Sequence, residues 1–409
     1  MKSFCKFFLI IALFFSSLLC AFASEITEIQ FTGLKKTKAK YLERVLKDFY
    51  GKEMTEETKS ELESTLQQLQ LFEEMEISVD EETGSVAVAV KEKMSFLPVP
   101  IVAASNGSFM AGAFVLDTNA LGEQDSFMVG GLWSMTSLFA MGSFSVQAKD
   151  ISHPGFSVSA TVSRGESKID SEIEERLFEY KRFGYSFGAS IMEKFNKYLS
   201  MSAGCSASYF NADEKDDFGS IGVDRVRKIT PNVSLALGRS DWNGVFVSQK
   251  SIGVSGALIF ADYYDGTTQT GKNVSAKAVF EQPIIDTLRI IVSLSGVYGW
   301  DEDITSYSGE SAASVSILAD NFSSARLGGG SAGLEWAFTQ GKYATFSLYG
   351  LYEAAGFVNF DDEKKFNQGF EAGMKTYLKK IAFPALSFGV SYNATEKFWG
   401  YSFSFGAKF

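Results

Sequence analysis

The sequence predicts a mainly β protein, with an N-terminal α+β domain followed by a 16-stranded antiparallel transmembrane β-barrel. Three observations carry this. The chain ends on Trp399, Tyr401, Phe403, Phe405, Ala407 and Phe409, alternating with Gly400, Ser402, Ser404, Gly406 and Lys408. Period-two alternation is the mark of a strand, and an aromatic face at a chain end makes sense if that face meets lipid. Similar alternation recurs through residues 98–409, whereas 25–93 carries helical spacing. Finally, 38 Phe and 16 Tyr among 409 residues coexist with a mean hydropathy of +0.01, as expected of strands with aromatic girdles and a polar second face.

Lys2 and Lys6 precede the apolar run 7–19, and Ala21-Phe22-Ala23 follows. This is the pattern of a secretory signal peptide, expected over residues 1–23 with cleavage after Ala23 or Ser24. Cys20 keeps open a rival reading as a lipoprotein acceptor, although Leu19 stands where Gly or Ala is usual. Cleavage leaves Cys205 as the lone cysteine, so no intrachain disulfide is expected. No later apolar run approaches the roughly 20 residues of a membrane helix. A membrane crossing would therefore need a closed barrel, which satisfies every backbone group in lipid.

Residues 25–93 read as β-α-α-β-β. A strand is predicted over 26–31, ending at Gly33. Thr37 can cap a helix whose Tyr41, Leu42, Val45, Leu46 and Phe49 share one face, with Gly51 as its stop. Thr55 can cap a second helix with Glu56 and Glu57 in its first turn and Leu62, Leu66 and Leu69 inward. Met75, Ile77 and Val79 alternate, Gly84 turns the chain, and Val86, Val88 and Val90 alternate again.

Beyond Lys93 the strands follow. Phe156, Val158, Ala160 and Val162 alternate with serines and a threonine, and Leu386, Phe388, Val390 and Tyr392 do likewise with small and polar residues. Taking Asn106-Gly107 as a hairpin turn, the predicted strands lie at 98–105, 108–117, 124–134, 138–150, 156–164, 178–192, 198–210, 228–240, 250–260, 272–283, 287–299, 328–339, 342–352, 366–378, 384–392 and 397–409. The long connections 165–177, 211–227, 261–271, 300–327 and 353–365 each follow an odd-numbered strand. Long loops at one end and short turns at the other is the rule of outer-membrane barrels, whose short-turn end is periplasmic.

The N-terminal stretch resembles a POTRA domain, the periplasmic module of the BamA superfamily. The residues that match are Ile26 and Ile29 before Phe31-Thr32-Gly33-Leu34, then Thr37, then Leu69-Gln70-Leu71-Phe72, and 86–93 ending in Lys91-Glu92-Lys93. Residues 112–122, with Asp117-Thr118-Asn119-Ala120-Leu121-Gly122, resemble the family's early strand and turn; 351–358, with Ala355-Gly356, resemble a later strand; and Phe409 matches its terminal aromatic residue. The resemblance covers nearly the whole mature chain. It implies a bacterial surface antigen type of outer-membrane protein with one POTRA domain in the periplasm.

The resemblance also implies a functional loop. In the family a Val-Arg-Gly-Phe-like motif in the loop after strand eleven folds into the barrel and meets an acidic residue of the wall. Here the candidates are Arg326, Gly328 and Gly329 in Ser324-Ala325-Arg326-Leu327-Gly328-Gly329, with Glu353 on the wall. Leu327 stands where Gly is usual, no aromatic residue follows, and Glu353 is one residue out of the usual register. These departures bear on an insertase mechanism more than on the fold.

No chemistry of an enzyme is evident, and no cofactor or metal is implied. His153 is the one histidine and sits in a His-Pro-Gly turn sequence. The net charge of −11 argues against a nucleic-acid partner. Acidic clusters at 213–217, 301–303 and 361–363 fit solvated loop carboxylates, with divalent cations at lipid headgroups as the sharper reading.

Two readings of function remain. In the first, the protein assembles or translocates other proteins. The last strands of the N-terminal module, with Val86, Val88 and Val90, would offer a backbone edge to unfolded outer-membrane or secreted clients. The seam between strands one and sixteen, marked by Pro98, Pro100, Ile101, Phe405 and Phe409, would open laterally, as the resemblance implies. Independently of it, the prolines should weaken pairing there, since they carry no N–H. Accessory periplasmic lipoproteins and outer-membrane lipids are the other expected partners. In the second reading the chain is a passive pore or surface antigen, since sixteen strands can enclose an aqueous channel.

Overall fold

The structure is a computed structural model that describes residues 25–69, 71–80, 83–105, 108–148, 153–172, 175–214, 220–243, 246–341, 344–378 and 384–405. The expected signal peptide, Cys20, the turn Asn106-Gly107, Asp216-Asp217 and Phe409 lie outside these residues. The chain divides into two compact units, one holding residues 25–94 with 121–123, the other 95–120 and the described residues from 124 on.

The first unit contains β1 (Glu28–Thr32), α1 (Ala39–Val45), a 3-10 turn (Lys47–Phe49), α2 (Glu56–Gln68), β2 (Phe72–Asp80) and β3 (Ser85–Glu92). The helices form where apolar residues recur at three and four. Tyr41, Leu42, Leu46, Leu62 and Leu66 bury against Ile26, Ile29, Val86 and Val88 in one core. Each such side chain contributes about 1.5–3 kcal/mol of burial. Thr55 caps α2 as expected, its hydroxyl accepting from the Thr58 N–H at 3.1 Å. Thr37 does not cap α1, which starts from Lys38 without a side-chain cap. Instead the backbone N–H groups of Lys36 and Thr37 each donate to the Glu92 carboxylate at 2.9 Å. Burial works against that carboxylate, but these N–H donors prevail and hold it below its usual range.

Sheet order is β1-β3-β2, with β1 parallel to β3 and β2 antiparallel to it. This corrects the expected client edge. Val86, Val88 and Val90 lie on the central strand, paired on both sides and buried. The unit's outer strands are β1 and β2. The sequence showed β3 following β2 but not that β1 would take its far side in parallel.

The second unit is a closed antiparallel barrel of sixteen strands. They are β4 (Phe96–Ser105), β5 (Ser108–Asp117), β6 (Ser126–Trp133), β7 (Ser137–Val146), β8 (Gly155–Asp170), β9 (Arg176–Lys194), β10 (Leu199–Glu214), β11 (Arg225–Asn243), β12 (Phe246–Tyr263), β13 (Thr268–Ile285) and β14 (Leu288–Trp300). Two short strands, β15 (Ser308–Gly309) and β16 (Ser323–Ser324), pair with each other outside the wall. The wall resumes with β17 (Arg326–Gln340), β18 (Ala344–Val358), β19 (Lys364–Leu378), β20 (Pro384–Asn393) and β21 (Phe398–Phe405), and β21 pairs with β4 to close it.

Alternation sorts the two faces. On β18, Phe346, Leu348 and Tyr352 are exposed on the outside while Thr345, Ser347, Tyr349 and Glu353 are buried on the inside. Inward hydroxyls meet across neighbouring strands, as in Ser157 and Ser190 at 2.7 Å and Ser202 and Ser234 at 2.7 Å. On the closing strand Trp399 and Tyr401 are 68% and 50% exposed, with Trp399 packed on Tyr392 at 4.7 Å between ring centres. No helix among the described residues is long and apolar enough to cross a membrane, so any crossing falls to the strands.

Two features depart from the expected pattern. On β4–β7 both faces are apolar: Val99, Ile101 and Phe114 cluster inside with Leu97, Met128, Leu132, Phe139 and Met141. Gly130 makes this possible, since a Cβ there would stand 2.6 Å from Phe114. Also, most of the long connections are strand. β8 and β9 stay paired to Asp170 and Arg176, and β12 and β13 leave only 264–267 between them. The loop parity therefore becomes a difference in wall height. β8–β13 run 16–19 residues, whereas β4–β7 run 8–10.

Candidate functional site

Residues 301–325, the longest connection between wall strands among the described residues, fold into the barrel. The descending part is fixed by Asp303, which caps a 3-10 turn at Ile304–Ser306. Asp303 accepts from the buried Lys228 ammonium of β11 at 2.9 Å and from the Tyr263 hydroxyl of β12 at 2.7 Å. Lys228 also donates to Ser306 Oγ at 2.7 Å. Burial disfavours a charged Asp303, but the Lys228 ammonium outweighs it and holds the carboxyl below the usual range.

The β15–β16 pair then closes the loop on itself, and Ser314 adopts a left-handed φ of 53°. From here the tip crosses the lumen. Ser295 of β14 donates to the Ala312 carbonyl at 2.8 Å. Ser316 donates its backbone N–H and its hydroxyl to Glu353 Oε2 of β18, at 2.7 and 3.0 Å. Ser391 and Asn393 of β20 donate to the carbonyls of Ser316 and Ile317 at 2.9 and 2.8 Å. On the return, Asn321 donates to Asp170 of β8 at 3.0 Å. An apolar knot of Ala313, Val315, Ile317, Leu318 and Phe322 packs on Leu327, Ala355 and Phe357 of the wall. Strands that are not neighbours in the wall are thus joined through one inserted segment.

Glu353 therefore does receive this loop, but at Ser316. Arg326 is the first residue of β17, its guanidinium carbon 5.2 Å from the Tyr298 ring centre and its Nε donating to the Gly299 carbonyl at 3.4 Å. Gly328 and Gly329 are also wall residues, paired with Gly296 and Ser295 on β14 and with Gly356 and Ala355 on β18. The structure does not bring these three into the lumen-filling tip. Ser316 carries no motif, so only the fold could single it out.

A second polar cluster lies at the opposite end of the same strands. Arg289 stacks on Phe246 at 4.7 Å and donates to Glu335 Oε2 at 2.8 Å. Tyr377 donates to Glu335 Oε1 at 2.7 Å, and Lys375 lies 3.5 Å from Glu335. Glu335 is 0% exposed, so every one of these partners offsets the loss of its water.

The seam joins β21 to β4 through Ser402 with Ser105, Phe403 with Ala104, Ser404 with Ala103, and Phe405 with Val102. By contrast, β4 pairs with β5 along its whole length from Phe96 to Ser105. β4 turns back after Ser105, so among the described residues 398–401 of β21 pair with β20 only. Pro98 and Pro100 stand on the outward face of β4 and supply no N–H to either neighbour, while Ile101 points inward and is buried. Among the described residues no group of three or more His, Cys, Asp or Glu is placed to hold a metal ion.

This architecture has known counterparts. No family model matches the chain, and no curated protein matches it by sequence. Among solved structures, BamA from Haemophilus ducreyi lacking POTRA domains 1–3 superposes with a TM-score of 0.57 at 14% identity, covering 94% of this chain and 84% of that one. The fold is that of the BamA and CdiB barrels. CdiB from Escherichia coli gives a TM-score of 0.60 at 15% identity over 94% of this chain and 77% of its own, and CdiB from Acinetobacter baumannii gives 0.57 at 12% over 94% and 74%. At such identities the likeness concerns the fold.

Proposed function

We propose that this chain is a non-catalytic outer-membrane factor that assembles or translocates other proteins, with its α+β unit acting as a single POTRA domain in the periplasm. The observation that carries this reading is the lumen filled by residues 301–325, beside a wall closed by a proline-bearing strand. A passive pore needs an open lumen and an evenly paired wall. Here Glu353, Ser391 and Asn393 hold a plug in place, and the strand that closes the wall lacks two ladder donors. The apolar outer face suits lipid, and the BamA and CdiB folds supply the outer-membrane context.

Clients would be unfolded outer-membrane or secreted chains. An extended segment would add to an outer strand of the N-terminal sheet through backbone hydrogen bonds, which require little side-chain specificity. The outer strand β2 carries Glu73, Glu74, Glu76 and Asp80, a charged edge that discourages unspecific pairing. Accessory lipoproteins belong to the same proposal.

The test uses liposomes and an unfolded barrel client. The full chain should accelerate client folding, and deletion of residues 25–93 should abolish the acceleration. A disulfide between Ala104→Cys and Phe403→Cys, in a Cys205→Ser background, should block activity until it is reduced. Equal activity in the oxidised and reduced forms would reject the seam as the route, and absence of any acceleration would reject the assembly function.

A further inference from the structure

We infer that the outer face of the barrel at β14, β17 and β18 binds one anionic phospholipid, with its phosphate held by Arg326 and Lys364 and an acyl chain lying along a groove floored by glycines. The inference rests on the reading of the barrel as membrane-spanning, and it assigns a specific lipid to one place on that surface.

The groove has a volume of about 700 Å³, and its lining includes Leu294, Tyr298, Arg326, Gly328, Gly356 and Lys364. Its shape follows from cross-strand register. Ala276 pairs with Gly296, Gly296 with Gly328, and Gly328 with Gly356, so four small residues stand side by side across four strands. They share the outward face with the exposed Leu294, Tyr298 and Phe366, which stand up around them.

Backbone crowding does not impose all of these glycines. At Gly330 a Cβ would lie 2.4 Å from the Ser293 carbonyl oxygen, so that position cannot carry a side chain. At Gly328 and Gly356 a Cβ would meet nothing nearer than 3.8 and 3.9 Å, which is ordinary contact, and neither has a positive φ. Wall packing would accept a side chain at both. What glycine provides there is an open trough among residues otherwise chosen to fill a lipid-facing surface.

Cations mark one end of the trough. Arg326 pairs with Tyr298, and Lys364 with Val358, on strands two spacings apart, roughly 10 Å. Both side chains are long enough to converge on a shared phosphate. Among the described residues it is the neighbouring Lys365 that pairs with a carboxylate, Glu363 at 2.9 Å, whereas Arg326 donates to the Gly299 carbonyl and neither Arg326 nor Lys364 makes an ion pair. Arg326 is steadied on the Tyr298 ring at 5.2 Å, and Lys272 lies over Trp300 at 5.6 Å on the adjoining strands. Basic residues over an aromatic belt are placed where a membrane's headgroups begin. A zwitterionic headgroup would leave the two cations half satisfied, whereas a net anionic one matches them. A narrow trough of small residues fits a methylene chain rather than the flat area a protein partner needs.

The experiment inserts the full chain into vesicles of equal parts phosphatidylglycerol and phosphatidylcholine and measures by native mass spectrometry the lipid that remains bound. Insertion is checked first by resistance to carbonate extraction. The wild-type protein should retain phosphatidylglycerol over phosphatidylcholine by roughly thirtyfold, as two basic side chains at a surface imply. Arg326→Gln with Lys364→Gln should bring that ratio close to one. Gly328→Leu, which the backbone tolerates, should fill the trough and lower retention of both lipids several-fold. An inserted wild-type protein with no preference, or a Gly328→Leu variant that retains lipid as before, overturns the site. Displacement of bound phosphatidylglycerol by an equal amount of a phosphorylated glycolipid overturns the assignment to a phospholipid. Failure of the wild-type chain to insert would overturn the membrane reading itself and this site with it.

Discussion

Ser316 gives both of its donors to a single oxygen of Glu353, the N–H at 2.7 Å and the hydroxyl at 3.0 Å, so one wall side chain clasps the tip of the inserted loop. Glu353 is 1% exposed, and its hydrogen bonds stand in for the water it has lost. Glu353→Ala should leave the Ser316 N–H unsatisfied and release the tip, at a cost of about 1–3 kcal/mol. In planar bilayers the variant should conduct more than the wild type and show more frequent openings. Glu353→Gln keeps an acceptor oxygen and should fall between the two. Conductance of Glu353→Ala equal to wild type would show that the clasp does not hold the lumen shut.

The loop should also respond to pH through Glu302. Burial pushes its carboxyl up to about 7, against the pull of an Asn273 hydrogen bond and the Lys228 charge, and its Oε1 has no hydrogen-bond partner among the described residues. A carboxyl raised in the folded state binds its proton more tightly there than in the unfolded chain. Its contribution is fully present below the ordinary range near 4.5 and is lost as pH rises through about 7. Asp303 works in the opposite sense: depressed by Lys228, it contributes at neutral pH and is lost only on acidification through its lowered value. Between pH 6 and 8 the Glu302 effect should dominate, so protection of the loop from protease should fall with rising pH. Glu302→Gln should flatten that dependence.

Arg289 and Glu335 form an ion pair in which each partner is needed because the other is buried. Arg289→Met should cost about 3–5 kcal/mol by leaving Glu335 with Lys375, Ser347 and Tyr377 alone. Arg289→Met with Glu335→Leu removes both charges and should recover most of the loss. The urea midpoint for the loss of gel heat-modifiability measures both effects. A double variant no more stable than the single one would contradict this account.

Gly33 turns the chain out of β1 with φ 86°, and a Cβ there would stand 2.0 Å from the Val90 carbonyl oxygen. Gly33→Ala therefore meets both a left-handed backbone and a clash, and should destabilise the N-terminal unit by more than about 1 kcal/mol. Limited proteolysis of the full chain should cut residues 25–94 sooner in the variant while leaving the barrel's gel mobility unchanged.

The barrel was legible in the sequence because its two faces carry opposite chemistries on alternate residues, and runs such as 386–392 record both. The ends of strands were less legible. Residues 165–170 contain Glu166, Lys168 and Asp170, which read as loop, yet they continue β8 because pairing with β9 needs only backbone and not an apolar face. On β4–β7 the inward cluster around Phe114 erases alternation, so periodicity had less to work with there. In the N-terminal unit, helices and strands could be read from spacing, but parallel pairing of β1 with β3 joins residues far apart in sequence and leaves no local trace. The same holds for the lumen. Glu353 stands out in the sequence only through the family resemblance, while Ser316, an ordinary residue in a serine-rich loop, acquires its role only when the chain folds.

Pro98 and Pro100 supply the most direct test of the seam. Each removes one N–H from a strand of ten residues, and that strand closes the barrel. Pro98→Val with Pro100→Val restores both donors on a strand that already has extended geometry. Residues two apart in a strand send their N–H groups to the same edge, and the bond from the Thr118 N–H to the Ser95 carbonyl turns the odd-numbered positions toward β5, so both restored donors face the β21 side. A ladder hydrogen bond contributes about 1 kcal/mol, so the two together would tighten the closure by up to about 2 kcal/mol. The barrel should then resist urea better. If the seam is the route for clients, the same change should slow client folding in liposomes, because opening must break the bonds it adds. Stability and activity would move in opposite directions. A variant that gains stability and assists its client as fast as the wild type would show that the prolines shape β4 without serving as a gate.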